Sequence, residues 1–219
     1  KNKFTIDVQG DIADYLGINV SKTKDGKLSL TQPQIIKQII EEVGVKNKDG
    51  IKKIPALSTK ILRRNIEDEV IKPHFNYRRI IGKLNFLEKS TRPDISYAVK
   101  ELSRFLNNPG PKMWAAAKNV LHYLQGTKHH GIQYGGKAAY HTLAKSPDQL
   151  VGFSDSDWAG QVDDRKSTSG TIFFLNNGPI SYSSRSQKCV ALSTAESEYV
   201  ALGEAAREAL YLRMLLKDL

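Results

Sequence analysis

The sequence has little cysteine, tryptophan or methionine: one Cys, two Trp and two Met in 219 residues. A lone Cys189 rules out an intramolecular disulfide, makes a Cys-based zinc site untenable, and suits a reducing compartment. Flanked by Val190, Ala191 and Leu192, Cys189 reads as a small buried apolar residue. No window approaches the roughly 18 apolar residues of a membrane span, so no membrane partner is expected. His122, His129, His130 and His141 stand at no metal-ligand spacing with carboxylates and read as surface residues. A Gly-rich phosphate loop, a Ser-His-Asp arrangement and a zinc signature are also missing. Lys1, Asn2 and Lys3 lead straight into alternating Phe4, Ile6 and Val8, without a signal-peptide pattern. The first residue is not Met, which suggests an excerpt of something longer.

What is present is ordinary globular material: 40% hydrophobic and 26% charged residues, in a length that suits one large domain or two small ones. Thirty-three Lys and Arg against twenty-three Asp and Glu give a net charge of +10, which favours a polyanionic partner, nucleic acid first.

Alternation predicts β-structure over residues 1–30, with a hairpin near 15–31 turning at Asp25-Gly26 as a two-residue turn. Thr31 or Gln32 opens a helix with Ile35, Ile36, Ile39, Ile40 and Val43 on its stripe, ended by Gly44. Residues 45–75 read as a long basic loop. Three further helices are expected. One carries Tyr77, Ile80, Ile81, Leu84 and Leu87, one is capped by Asp94, and one runs from about Lys112 to Gln125. Ile132 and Tyr134 suggest a strand, and residues 135–149 an interdomain linker. Beyond it the pattern is strand (Leu150, Val151, Phe153), strand (Thr171 to Leu175), turn at Asn176-Asn177-Gly178, strand (Ile180 to Ser184, with an extension into Lys188 to Ala191), then one helix from Ser193.

Two acidic positions carry the chemistry. In a strand, residues two apart share a face, so Val151, Phe153, Asp155 and Asp157 point together and carboxylates replace apolar residues at the strand's end. On the last helix Ser193 and Glu196 form a capping box, which gives Glu196 a structural role. Glu198 falls on the stripe Glu198, Leu202, Ala205, Ala209, Leu212 and Leu216, where an ionised carboxylate is costly unless paired or metal-bound. Against this, Glu198 in the first turn favours the helix dipole while still wet, and Ser154-Asp155-Ser156-Asp157 is also good turn material. Together Asp155 and Glu198 make half of a carboxylate cage for Mg²⁺. Asp163-Asp164-Arg165-Lys166-Ser167 reads as a turn with an Asp–Arg pair.

Several segments resemble copia-type retrotransposon polymerases. These are Tyr77-Arg78-Arg79-Ile80-Ile81-Gly82-Lys83-Leu84, Thr91-Arg92-Pro93-Asp94-Ile95-Ser96-Tyr97-Ala98-Val99 and Leu102-Ser103-Arg104-Phe105. Ser154-Asp155-Ser156-Asp157-Trp158-Ala159-Gly160, Asp164-Arg165-Lys166-Ser167-Thr168-Ser169-Gly170 and Ala191-Leu192-Ser193-Thr194-Ala195-Glu196-Ser197-Glu198-Tyr199 continue the likeness. The resemblance implies an α/β (α+β) chain. Residues 1–30 would be the end of a reverse transcriptase palm with a primer-grip-like hairpin, and 31–134 a helical thumb and connection region. Residues 135–149 would be a linker, and 150–219 a truncated RNase H-like domain of order β-β-β-α.

It further implies that Asp155 and Glu198 are catalytic and metal-binding, with Asp157 a weaker metal ligand, and that the ion is Mg²⁺ or Mn²⁺. Tyr15, Gly17, Arg78, Arg79, Lys83 and Arg92 would contact nucleic acid. The partners would be primer-template, RNA–DNA hybrid and the rest of the Pol polyprotein, with no membrane. The location would be cytoplasmic, in a virus-like particle, or nuclear, and not secreted. The family's paired polymerase aspartates would lie before Lys1, and its third and fourth RNase H carboxylates beyond Leu219. The parent would copy RNA into DNA and degrade the RNA of the hybrid, with this piece inert or nearly so. The rival expectation is a catalytically inactive remnant that binds nucleic acid or a protein. An integrase-like relative fits less well, because of the early Glu on the last helix and the polymerase-like residues 77–105.

Overall fold

A computed structural model describes residues 13–46, 50–56, 62–63, 76–135, 146 and 148–219. The strand expected at Phe4, Ile6 and Val8, most of the 45–75 segment, most of the linker and His141 lie outside those residues. The first sheet opens with β1 (Asp14–Tyr15), β2 (Ile18–Lys22) and β3 (Leu28–Thr31). β2 and β3 pair antiparallel, ending with Lys22 opposite Leu28. The Thr23 N–H then donates to the Lys27 carbonyl at 2.9 Å, and within the loop only Gly26 has positive φ, +81°. The turn is therefore a three-residue loop with glycine in the left-handed position, not the two-residue turn expected at Asp25-Gly26.

The chain then forms α1 (Pro33–Val43), α2 (Tyr77–Ser90), a short 3-10 turn (Pro93–Ile95), α3 (Ser96–Ser103) and α4 (Pro111–Gly126) before β4 (Ile132–Tyr134). Gly44 ends α1 at φ +71°, its N–H bonded to the Ile40 and Glu41 carbonyls. The apolar stripes read on these helices turn inward. Ile36, Ile39, Ile80, Leu84, Leu102 and Leu121 meet in one core, each contributing about 1.5–3 kcal/mol by leaving water. Asp94 does not cap α3. Its carboxylate accepts from Arg92 and from the Tyr123 hydroxyl instead. β4 pairs antiparallel with β3, Leu30 opposite Ile132, giving sheet order β1-β2-β3-β4. The helices thus leave and re-enter one sheet, which bridges the boundary placed between residues 30 and 31.

The second sheet is antiparallel, order β5-β6-β7, built from β5 (Val151–Asp157), β6 (Thr168–Leu175) and β7 (Gly178–Ser186). Asn176 and Asn177 take φ of +49° and +65°, the left-handed pair that a type I′ hairpin needs. Residues 188–191, expected as a strand extension, form a loop, and Cys189 within it is exposed rather than buried.

α5 (Thr194–Asp218) lies on one face of this sheet. That face carries Gly152, Ser154 and Ser156. A Cβ at Gly152 would come within 2.3 Å of the buried Phe173 ring, which packs with Ala205 and Leu212 of the helix. The opposite face carries Val151, Phe153, Asp155 and Asp157 and meets the helical unit. There the Tyr182 hydroxyl donates to the Glu88 carbonyl at 2.7 Å, and Lys100 Nζ donates to Thr168 Oγ1 at 2.6 Å. The chain is mixed α/β, its second sheet held between α5 and the helices α2 and α3.

Candidate active site

β5 delivers two exposed carboxylates at its C-terminal end, Asp155 and Asp157. Asp155 stands opposite Gly170 of β6. With no side chain on that neighbour, the space beside the Asp155 carboxylate is clear. Asp157 is more confined. A Cβ on Gly160 would lie 2.0 Å from its Oδ2, so the carboxylate rests against glycine backbone. Burial raises the Tyr97 hydroxyl above its usual value, with Glu101 and then Asp157 adding to the effect, which places Asp157 among the charged groups of α3.

On α5, Ser193 caps the helix, its Oγ accepting from the Glu196 N–H at 3.1 Å. Glu196 accepts from the Leu192 N–H at 2.6 Å. It has the capping role expected, although its donor is Leu192 rather than Ser193. Glu198 is exposed. The buried positions of this helix are Ser197, Ala201, Ala205 and Leu212; Ala205 and Leu212 lie on the stripe read from the sequence, but its first two members, Glu198 and Leu202, each give way to the residue before them, and Leu202 is 56% exposed. The stripe misled because a serine occupies its true first position. Ser197 is fully buried, its hydroxyl 2.8 Å from Ser156 Oγ and donating to the Thr194 carbonyl at 2.7 Å. The desolvation argument for Glu198 therefore falls, and position takes its place. Glu198 Oε1 accepts from the Ser156 N–H at 3.3 Å, the residue between the two aspartates.

Asp155 and Glu198 take part in no ion pair among the described residues. Hard, solvent-facing oxygens of this kind suit Mg²⁺, which keeps several waters and needs only one or two carboxylates plus substrate phosphates. Among the described residues, no three His, Cys, Asp or Glu side chains cluster as a metal cage.

The basic residues divide. Tyr15 is 59% exposed on the hairpin, and Gly17 turns the chain at φ +79° with its N–H donating to Asp14 Oδ1 at 3.3 Å. Arg78 is exposed and donates to Asn107 Oδ1 at 2.8 Å. Arg79 and Lys83 both pair with Glu42, and the Lys83 hydrogen bond holds that carboxyl below its usual value. Arg92 is different. It is 1% exposed, its guanidinium donates to both oxygens of Asp94, to the Thr127 carbonyl and to Thr127 Oγ1, and it lies 5.5 Å from the Tyr123 ring. A side chain so enclosed does not present itself to a phosphate, and the nucleic-acid role expected for Arg92 gives way to a structural one.

Two features had no sequence signal: the Arg92 network and an ionic cluster joining α3 to residues 161–168. In the latter, Asp163 pairs with Arg104 at 3.5 Å rather than with Arg165. Arg165 takes φ +58°, and Asp164 accepts from the Lys166 N–H.

No protein-family model and no solved structure matches the chain. Curated proteins do. The chain is 36% identical over 215 residues to the retrovirus-related Pol polyprotein from transposon TNT 1-94 of Nicotiana tabacum, covering 96% of this chain and 16% of that protein. It is 33% identical over 219 residues to the retrovirus-related Pol polyprotein from transposon RE2 of Arabidopsis thaliana, covering 99% of this chain and 14% of that protein. The chain belongs to the retrovirus-related Pol polyproteins of transposons. It is also 46% identical over 136 residues to the secreted RxLR effector protein 161 of Plasmopara viticola, covering 62% of this chain and 90% of that protein. It spans about a seventh of the length of the polyproteins it matches. Among the described residues, no helix of this Pol segment is long and apolar enough to cross a membrane.

Proposed function

We propose that this Pol segment is the part of a copia-type polymerase that joins the thumb and connection of a reverse transcriptase to an RNase H-like domain. On this reading residues 14–134 hold primer-template, and β5 with α5 supplies half of a metal site that acts on the RNA of an RNA–DNA hybrid. The observation that carries it is the hydrogen bond from the Ser156 amide to Glu198, which brings a helix carboxylate to the strand segment bearing Asp155 and Asp157. Asp155 and Glu198 would hold Mg²⁺ or Mn²⁺, with Asp157, already confined by Gly160, in a lesser role. When bound there, such an ion would supply Lewis acidity to activate water and charge to stabilise the leaving oxygen. Glu198 keeps its place because its partner is a backbone amide, fixed by the β5–β6 ladder. Exposed Arg78 and Tyr15 offer a phosphate contact and a stacking surface that read no sequence.

Hydrolysis by the two-metal route needs both ions clamped about the scissile phosphate, and Asp155 with Glu198 would hold one. The 219-residue chain is therefore expected to show little or no Mg²⁺-dependent cleavage of an RNA–DNA hybrid in a denaturing-gel assay. Robust turnover that Asp155→Asn abolishes would overturn the expected inertness. A second reading has its own support: the chain covers most of an effector whose name mentions no polymerase. On that reading the fold is a non-enzymatic binding module, and hybrid binding is indifferent to ionic strength.

A further inference from the structure

Two motifs of the sequence, Leu102-Ser103-Arg104-Phe105 and Asp164-Arg165-Lys166-Ser167-Thr168-Ser169-Gly170, supply no carboxylate to the proposed metal site. The structure brings them together. We infer that α3 is an ionic clasp that holds the 158–168 segment and thereby positions the carboxylate-bearing end of β5.

The contacts form one connected set. Arg104 reaches Glu101 at 2.9 Å and Asp163 at 3.5 Å. Lys100 Nζ reaches Glu101 at 2.6 Å and donates to Thr168 Oγ1 at 2.6 Å. With its carbonyl toward Lys100 and its amide toward Asp164, the Gln161 side chain lies 3.1 Å from each. Thr168 is the cross-strand partner of Asp157. Lys100 therefore grips the rung on which Asp157 stands.

The segment between is tightly closed. The Gln161 N–H donates to the Lys166 carbonyl, the Arg165 N–H to the Gln161 carbonyl, and the Ala159 N–H to Ser167 Oγ. Ala159 and Arg165 both have positive φ, +51° and +58°. A segment folded so sharply with side-chain-bearing residues in left-handed positions needs outside support, and α3 provides it.

The side chains of Lys100, Glu101, Arg104 and Asp163 are only 11%, 15%, 17% and 15% exposed. Burial pulls the Lys100 ammonium below its usual value even with Glu101 beside it. Buried ion pairs recover their desolvation cost poorly and are better suited to fixing one arrangement than to adding stability. This cluster fixes how the helical unit meets the second sheet. Lys100 and Arg104 are positioning residues: they act on the aspartates through Thr168 and Asp163.

The link to the metal rests on the function proposed above, whereas the clasp itself does not. The test uses the full chain, with hydrogen–deuterium exchange in Lys100→Met, Arg104→Met and the conservative Arg104→Lys, with and without Mg²⁺. Without metal, amides of residues 157–170 should exchange about tenfold faster in Lys100→Met and Arg104→Met while α4 is unchanged. Arg104→Lys, which keeps a cation beside Glu101 and Asp163, should return them toward wild type. Unchanged exchange over 157–170, or a uniform rise across the chain, overturns the clasp. If Mg²⁺ protects the Ser156 amide in wild type, the concentration giving half protection should rise about tenfold in Arg104→Met. An unshifted midpoint overturns the positioning role. If Mg²⁺ protects nothing in wild type, the metal site falls while faster exchange in Lys100→Met and Arg104→Met still upholds the clasp.

Discussion

Arg92→Met should lower stability by about 3 kcal/mol, read as a lower urea midpoint, the order expected when one partner of a buried, hydrogen-bonded ion pair is removed. The loss has several parts. The Thr127 hydroxyl loses its Arg92 donor and the Thr127 carbonyl keeps only the His130 N–H, Asp94 keeps its charge without its cation, and the Tyr123 hydroxyl alone is left to tie Asp94 to α4. Arg92→Lys should recover little, because an ammonium cannot donate to both Asp94 oxygens and to Thr127 in one plane. The variant also has a pH signature. Burial alone would raise the Asp94 carboxyl, but hydrogen bonds from Arg92 and Tyr123 outweigh it and hold the group below its usual value. A carboxyl with a lowered folded pKa contributes stability above its unfolded value of about 3.9, and that stability is lost as pH falls through the folded value. In Arg92→Met this acid-side loss should shrink. Hybrid binding separates the residue from the exposed basic ones. Arg78→Ala should reduce the slope of log affinity against log salt by about one, and Arg92→Lys should leave it unchanged.

Leu84→Ala should cost about 3 kcal/mol, within the range for fully buried leucines whose cavity cannot collapse. Leu84 has no exposed surface and lies in the core that α2 shares with α1 and α3. Equilibrium urea unfolding followed by circular dichroism reads the change, and a loss below about 1 kcal/mol would mean that α2 is loosely packed. Asn85→Ala, one position round the helix and exposed, is the control and should be near neutral.

These two residues mark what the sequence could and could not disclose. The stripe Tyr77, Ile80, Ile81, Leu84 and Leu87 was legible because helical burial is a local, periodic property, and every member is buried. Arg92 was not, because charge usually means surface and nothing local shows that Thr127, thirty-five positions on, closes over it. β4 was visible as a strand, but its partner β3 lies a hundred residues earlier, and strand pairing leaves no local trace. Strand β6 ran further than expected because Thr168 to Gly170 are polar, yet these residues pair in register with Asp155 to Asp157 of β5. The candidate site was legible as residue types, Asp155 on a strand and Glu198 on a helix. Glu198 lies one helical position off the buried face, and what brings it to the strand is the Ser156 amide, forty-two residues earlier and without a local trace.

The central claim is that Asp155 and Glu198 together hold a divalent cation. It is tested most directly by titrating Mg²⁺ into the ¹⁵N-labelled chain and following the Ser156 amide resonance. The account predicts a saturable shift centred on residues 154–157 and 197–199 that Asp155→Asn and Glu198→Gln each abolish while the core resonances stay in place. A Ser156 resonance that does not respond to Mg²⁺, or that responds equally in both variants, would contradict it.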